Sequence, residues 1–498
     1  MMLTLSEQEQ VRINKLTELR KLGIDPYPAR GFITTVKIGD IIKSFSAYEG
    51  TTVSLTGRIM SIRIMGGASF VTIQEDHERM QLYIQRDSLC PGEDKTLYNT
   101  VFKKLIDLGD IIGVEGFVFK TKTGEISIHV TKFILLSKSL KPLPAVKDDG
   151  EKIHYAFNDP EQRYRQRYVD LILNKSSCEV FKKRIIIVQA MRSYMNTRGY
   201  YEVETPILQP LYGGAAARPF KTHHNTLDED MYLRISNELY LKRLIVGGIP
   251  GVYEFSKDFR NEGMDRYHNP EFTQVELYVP YKDYLWMMTF VEGLLQHIAQ
   301  TLYGSLQVMT DDKTIDFSHF ERYTMFEIIK KYTGTDIDHM PESQLRAFAE
   351  SIKVHVDESL GYGKIIDEIF SATCEPFLIQ PTFITDYPIE MSPLAKQKHD
   401  DDSLVERFEL FINGKECANA FSELNDPLEQ RKRFEGELQL SRRGDPEAMV
   451  MDEDFINALM YGMPPTAGVG IGIDRLTMIF TNAKSIQDVI LFPQMRHA

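Results

Sequence analysis

A chain of 498 residues with 58 basic and 71 acidic side chains, net charge −13, is too long for one hydrophobic core and predicts two or three domains. The hydrophobic fraction of 43% is ordinary for a globular protein, and the acidic balance repels nucleic acid overall, so any nucleic-acid contact must come from local basic or aromatic patches. The four cysteines, Cys90, Cys178, Cys374 and Cys417, lie far apart with no CxxC pair, which argues against a zinc ribbon or a disulfide framework and fits a reducing compartment.

The first residues, "MMLTLSEQEQVRINKLTELRKLG", lack the apolar core of a signal peptide and predict an amphipathic helix. Leu16, Leu19 and Leu22 make its stripe, and Gly23 closes it. No run approaches a membrane span, so cytoplasm is the default location and no membrane partner is expected. After this extension, residues 1–45, the segment 46–140 is strand-dense. Five runs, from "TTVSLTGRIMSIRIM" to "EISIHVTKFILLS", surround one helical patch, "LYNTVFKKLID", and predict an OB-type barrel. Residues 141–170, with Pro142, Pro144 and many charges, predict a linker that ends in a basic, aromatic helix.

The larger domain is expected over 171–498. A long helix is predicted from Cys178 to Arg198, with Phe181, Ile185, Val188, Met191 and Met195 as its apolar stripe. "YYEVETPIL" then reads as a strand stopped by Pro206, and strands alternate with short helices as far as Val279. "LWMMTFVEGLLQHIAQTLYG" is a strong helix, and about 310–375 is a largely helical insertion. Strands return at "PTFITDYP" and "ERFELFINGKECANAFSEL". The chain closes with "GVGIGI" and a helix for which Asp474 is the expected N-cap.

Charge is concentrated between Val252 and Val279, inside strand-forming sequence. Strand alternation puts Phe272, Gln274, Glu276 and Tyr278 on one face, and Arg260 on a face with Glu254, Ser256 and Asp258. A solvated sheet face accounts for Glu254 and Lys257. It does not account for Arg260-Asn261-Glu262-Gly263 opposite His268-Asn269-Pro270. In "AGVGIGIDRL", Gly468, Gly470 and Gly472 share one strand face, either a tight sheet crossing or a surface against which a ligand lies; the spacing is not a dinucleotide fingerprint. Asn413-Gly414 is a two-residue hairpin turn that pairs 412 with 415 and 411 with 416. Glu409 and Glu416 then face each other diagonally, as a Mg²⁺ beside phosphate requires. Asn419, Phe421 and Glu423 have the opposite parity, so they join that face only if a bulge intervenes near Cys417-Ala418. His223-His224 splay apart and lack a third metal ligand at suitable spacing.

Together these segments resemble the class II lysyl-tRNA synthetases over nearly the whole chain. "GYYEVETPIL", "FRNEG…HNPEFTQVELY" and "GVGIGIDRL" are similar to the three motifs of that class, in order. "GGAAARPFKTHHN", "SNELYLKRLIVGG" and "KECANAFSELND" are similar to the lysine-specific segments, and "RIMGGASFVTIQED…MQLYI" to the family's anticodon-binding barrel. The resemblance implies an α+β fold: an N-terminal OB-fold β-barrel plus a class II catalytic domain on an antiparallel sheet flanked by helices.

It also implies roles. Arg260 and Arg475 would be the catalytic cations. Arg260, Glu262, His268, Asn269, Phe272, Glu409, Glu416 and Arg475 would hold ATP, with adenine between Phe272 and Arg475, and Glu409 and Glu416 would carry Mg²⁺. Gly214, Glu238, Arg260, Glu276, Tyr278, Asn419, Phe421 and Glu423 would hold lysine: Gly214 and Glu238 its α-amino group, and Glu276, Tyr278 and Glu423 its ε-ammonium. Arg63, Phe70, Gln81 and Glu125 would contact the anticodon of tRNA(Lys), with Phe70 stacking on a base rather than filling the barrel. A homodimer formed by the helix and strand around Pro206 is implied as well. Many bacterial members carry glycines where this chain has Ala418 and Ala420, and the added methyls are expected to tighten the back wall of the pocket.

The expected reaction is ATP-dependent ligation of lysine to tRNA through lysyl-adenylate. An aspartyl or asparaginyl enzyme shares the barrel and the motifs, but Glu238, Glu276 and Glu423 suit a cationic substrate. A non-catalytic RNA-binding relative would not need Arg260, Glu409, Glu416 and Arg475.

Overall fold

The computed structural model describes residues 5–144, 147–148, 153–154, 157–310, 313–357, 360–442 and 449–496. They form two compact units, 1–175 and 176–498. Of the predicted linker, residues 145–146, 149–152 and 155–156 lie outside the described residues, as do 311–312 and 358–359 of the predicted insertion.

In the first unit, β1 (Thr52–Met65), β2 (Ala68–Glu75), β3 (Glu78–Gln85), β4 (Ile111–Lys120) and β5 (Ile126–Ser137) close a barrel in the order β1-β2-β3-β5-β4. The β3–β5 pair is parallel and the others antiparallel. Alternation sorts the side chains: Ser69, Val71 and Ile73 of β2 point inward, while Phe70 and Thr72 do not. Helix α1 (Glu7–Lys21) starts at a capping box made by Ser6 and Glu9. Its Leu16 and Leu19 are buried, and Lys15 reaches Asp107 at 2.6 Å. Leu22, expected in the same stripe, is exposed, because the helix ends at Lys21 and the chain turns at Gly23, φ 73°. Helix α2 (Leu97–Leu105) carries Tyr98, whose hydroxyl meets Ser69 at 2.9 Å inside the barrel.

In the second unit, an eight-stranded sheet contains β6 (Tyr201–Glu202), β7 (Val252–Phe259), β8 (Glu271–Pro280), β9 (Glu321–Thr324), β10 (Thr382–Pro388), β11 (Leu404–Phe411), β12 (Glu416–Ser422) and β13 (Thr466–Gly472). The order is β9-β10-β11-β12-β13-β8-β7-β6. The six inner strands are antiparallel, but the two edge strands pair in parallel, so the sheet is mixed rather than purely antiparallel.

One face packs on α3 (Lys175–Asn196), α5 (Tyr284–Tyr303) and α6 (Ile473–Thr481), with α4 (Glu238–Val246) at the edge of the other face. Val469, Ile471 and Ile473 enter that core as the alternation predicts. Ala418 and Ala420 enter it too, so their methyls pack under the helices and do not touch the pocket wall as expected. On α3, Phe181, Met191 and Met195 are buried, but Ile185 is 57% exposed: the buried stripe shifts to Ile187 and Ala190. Among its described residues the insertion holds three α-helices, Met325–Thr333, Glu342–Ser351 and Tyr362–Thr373, which share a core with β10 and β11.

Candidate functional site

The face of the sheet away from α5 is the floor of a cavity of about 440 Å³. Register brings its residues together. A shift between Leu410 and Phe411, where Phe411 pairs with Glu416, leaves Cys417 as the extra residue of a bulge. The bulge required by the parity of Asn419 is therefore present, and it sits beside the Asn413-Gly414 turn. On one rung Glu409 lies opposite Asn419, Asn419 opposite Gly470, and Gly470 opposite Glu276. On the next, Arg407, Phe421, Gly468 and Tyr278 follow in the same way.

The glycines differ in what they leave room for. A Cβ on Gly468 would sit 2.0 Å from Glu423 Oε1 and 2.5 Å from the Tyr278 ring. A Cβ on Gly470 or Gly472 would meet protein only at 3.8 Å or beyond. No protein atom demands glycine there, so these two positions open floor area to a ligand.

Gly214, Glu238, Arg260, Glu262, His268, Asn269 and Phe272 line the cavity. So do Glu276, Tyr278, Glu409, Glu416, Asn419, Phe421 and Arg475. Glu423 does not: it is 1% exposed, and its Oε1 stands beside the cavity-lining Gly468. Gly214 has φ 88°, and its backbone approaches Ser236 and Glu238 closely enough that a Cβ would be 2.8 Å from the Ser236 hydroxyl.

Glu276 is buried and accepts hydrogen bonds from Ser236 Oγ (3.0 Å), Gln274 Nε2 (2.7 Å) and the Tyr278 hydroxyl (2.9 Å). Burial, with Asp258 and Glu238 nearby, pushes its carboxyl up to about 8. At the other end, Glu409 Oε1 accepts from Arg407 (2.5 Å) and Oε2 from the Tyr387 hydroxyl (2.9 Å). Burial raises the Glu409 carboxyl to about 7, with Glu416 and Asp367 adding to the rise and Arg407 opposing it. Arg475 donates to Glu416 Oε2 at 3.0 Å and to His268 Nε2 at 3.0 Å, and His268 Nδ1 meets Asp265 at 2.8 Å. The Arg260 guanidinium lies 5.1 Å over the Phe272 ring, and its buried Nε has no partner. Asn269 donates to the Glu271 carbonyl at 2.5 Å, and Glu262 is exposed at the rim.

Two further expectations fail here. Glu254 is not solvated: it is 3% exposed and binds Arg234 (2.6 Å), Thr205 (2.7 Å) and Asn237 (2.9 Å). A neighbouring strand and the Arg234 segment cover a face that sequence alternation leaves open. Asp474 does not cap α6, since Gly472 holds that position. It lies in the first turn, accepts the Thr273 N–H at 2.7 Å and pairs with Arg184 at 2.5 Å. His223 makes ordinary contacts with Asp230 (3.1 Å) and Asp228 (3.3 Å). Arg407 was not anticipated. Its only sequence signal is its parity with Glu409, two residues away on β11.

In the barrel, Phe70 lies on the outer face, 5.3 Å from Tyr83, and is opposite Arg63 in register. Gln81 donates to Ser127 Oγ at 2.9 Å, and Glu125 is exposed just before β5. Tyr83, Phe117, Phe119 and His129 extend this aromatic face, with Phe117 4.7 Å from His129. Their shared outward parity on β3, β4 and β5 is the signal that sequence reading overlooked.

The model of tRNA synthetases class II (D, K and N) matches residues 159–496, and that of the OB-fold nucleic acid binding domain matches residues 53–136. Sheet, cavity and barrel thus have the composition of a class II tRNA synthetase. A lysine--tRNA ligase of Porphyromonas gingivalis is 57% identical over 99% of this chain and 86% of its own length. Those of Christiangramia forsetii (86% of its length) and Azobacteroides pseudotrichonymphae (99% of its length) are each 56% identical over 99% of this chain. The chain belongs to the lysine--tRNA ligase family of the class II tRNA synthetases.

Proposed function

We infer that this enzyme ligates L-lysine to tRNA(Lys) in two steps through lysyl-adenylate. The observation that carries the reading is the set of buried carboxylates: Glu238 and Glu276 line the same cavity as Arg260, and Glu423 joins Glu238 through Lys242. Buried acids of this number suit a cation and disfavour aspartate or asparagine. ATP–pyrophosphate exchange tested across the amino acids is the deciding experiment. Lysine alone should support strong exchange; equal exchange with aspartate or asparagine would overturn the reading.

In the first step the lysine carboxylate attacks the α-phosphorus of ATP in line, and the bond to the β-phosphate breaks to release pyrophosphate. In the second, a terminal ribose hydroxyl of tRNA attacks the lysyl carbonyl, and AMP leaves. No side chain needs to act as nucleophile; placement and fixed charge carry both steps. Arg260 grips the α-phosphate and the carboxylate, and its unpartnered Nε supports this role. Phe272 and Arg475 hold adenine, Glu262 and Asn269 help to bind ATP, and His268 turns to the outer phosphates. Gly214 and Glu238 take the α-amino group. Asn419 assists the carboxylate, Phe421 packs on the stem, and Glu276, Tyr278 and Glu423 take the ε-ammonium.

Glu409 and Glu416 fit Mg²⁺: both line the cavity, and a cation there would offset the burial, and the lesser repulsion from Glu416, that raise the Glu409 carboxyl. When bound, Mg²⁺ neutralises phosphate charge. Glu409→Gln and Glu416→Gln are each expected to shift the Mg²⁺ titration of exchange to higher concentration, and an unchanged titration in both moves the metal site elsewhere.

Arg63, Phe70, Gln81 and Glu125 contact the anticodon. Phe70→Ala should leave pyrophosphate exchange unchanged and lower kcat/KM for tRNA by about ten- to a hundredfold, the worth of one stacked base. Because Phe70 lies outside the barrel core, its melting curve should stay native. Full charging at native stability would reject the anticodon role.

A homodimer through α3 and the segment around Pro206 is supported by exposed Ile185, Tyr201, Ile207, Leu208 and Leu211. Sedimentation at twice the 57.4 kDa chain mass is the expected result. Among the described residues no helix is long and apolar enough to cross a membrane, and a cytoplasmic location follows from the proposed reaction.

A further inference from the structure

Lys242 does not line the cavity, yet it holds two of the carboxylates that define it. It lies on α4, four residues after Glu238, and its side chain is fully buried. Its ammonium touches Glu238 Oε1 at 2.5 Å and Glu423 Oε2. The Phe421 ring is 5.4 Å away and the Phe455 ring 6.0 Å. The other oxygen of Glu423 is buried without a hydrogen-bond partner, against the Gly468 backbone where only glycine leaves room.

Charge counting gives this contact a meaning. With lysine bound and all three carboxyls ionised, Glu238, Glu276 and Glu423 against the one Lys242 ammonium leave two negative charges for the substrate. Free lysine brings two ammonium groups, and Arg260 answers its carboxylate. Glu276 and Tyr278 face the cluster from β8; Arg407 faces it from β11 but is committed to Glu409.

We propose that Lys242 is a positioning residue for the amino-acid substrate: it fixes one oxygen of Glu238 and one of Glu423, turns the remaining oxygens to the substrate's ammonium groups, and matches the pocket charge to lysine. The proposal rests on reading the cavity as a lysine site. Burial works against the Lys242 ammonium, but Glu238 and Glu423 outweigh it and hold its pKa above the usual lysine range. Burial pushes the two carboxyls up, and Lys242 opposes that rise. Without the ammonium they take up protons and the pocket loses charge.

The test compares Lys242→Met, which keeps the apolar stem, and Lys242→Gln, which keeps N–H donors without charge, with wild type in pyrophosphate exchange. Both variants should raise the lysine KM by roughly tenfold or more at pH 7.5, the scale of a lost buried charge contact. The ATP KM and kcat should stay within about twofold, since this contact acts on neither ATP nor the transferred phosphate. The lysine defect should shrink as pH rises, because a larger share of the raised carboxyls ionises. A normal lysine KM in either folded variant overturns the proposal, and so do lysine and ATP KM values that move together without recovery at high pH. Failure of both variants to fold assigns Lys242 to the core alone and overturns it as well. If wild type shows no exchange with lysine, the reading of the site is at fault and the proposal falls with it.

Discussion

Arg260→Lys is expected to lose at least about a hundredfold in lysine-dependent pyrophosphate exchange while melting like wild type. Arg260 follows the last residue of β7, where its N–H bonds the Pro270 carbonyl at 2.8 Å and its guanidinium lies over Phe272. The buried Nε has no partner, so this cavity-lining guanidinium keeps unused donor capacity. A lysine keeps the charge but loses the planar fork, so it cannot hold two oxygens at once. Preorganised donors of this kind contribute about a hundred- to a thousandfold in kcat. The loss should fall on kcat more than on the KM for ATP, because the contact tightens as charge develops on phosphorus. Near-native exchange by Arg260→Lys would refute the assigned role.

Lysine affinity should rise with pH up to about 8, and Glu276→Gln should both weaken binding and abolish that rise. In the empty pocket burial, Asp258 and Glu238 hold the Glu276 carboxyl at about 8, so it carries a proton at neutral pH. An incoming ammonium favours the ionised form, so below that value binding must expel the proton. The lysine KM should therefore fall by up to about tenfold per pH unit between pH 6.5 and 8, then level off. Stability has the opposite sign. A carboxyl raised in the fold contributes stability that is complete below its unfolded pKa of 4.5 and lost as pH rises through about 8. Lysine-induced protection against melting should thus grow with pH. Glu276→Gln removes the titrating group and costs roughly 2–5 kcal/mol of lysine binding. A flat pH profile in wild type, or an unchanged lysine KM in the variant, rejects the assignment of Glu276 to the ammonium.

Most of the site was legible because strands have a period of two. Phe272, Gln274, Glu276 and Tyr278 share a face by alternation alone, and the three glycines of β13 share theirs. Even the bulge beside Asn413-Gly414 could be inferred, since without it Glu409 and Asn419 could not face the same way. Resemblance of the motifs added Gly214, Glu238, Glu262, His268, Asn269 and Arg475 to the cavity lining, but not Arg407.

The sequence alone determined the local quantities: barrel and sheet strands, the hairpin turn, and the residue types that suit phosphate, metal and ammonium. These depend on neighbours within a few positions, where periodicity and turn chemistry act. The tertiary structure decided what lies across from what. It buried Glu254 beside Arg234, turned Ala418 and Ala420 into the helix-covered core, and gave Asp474 to Arg184 and the Thr273 N–H. It also joined Lys242 to Glu423, 181 positions later. Such pairings turn on strand order, desolvation and charge balance summed over distant segments, and no short-range pattern in the chain encodes them.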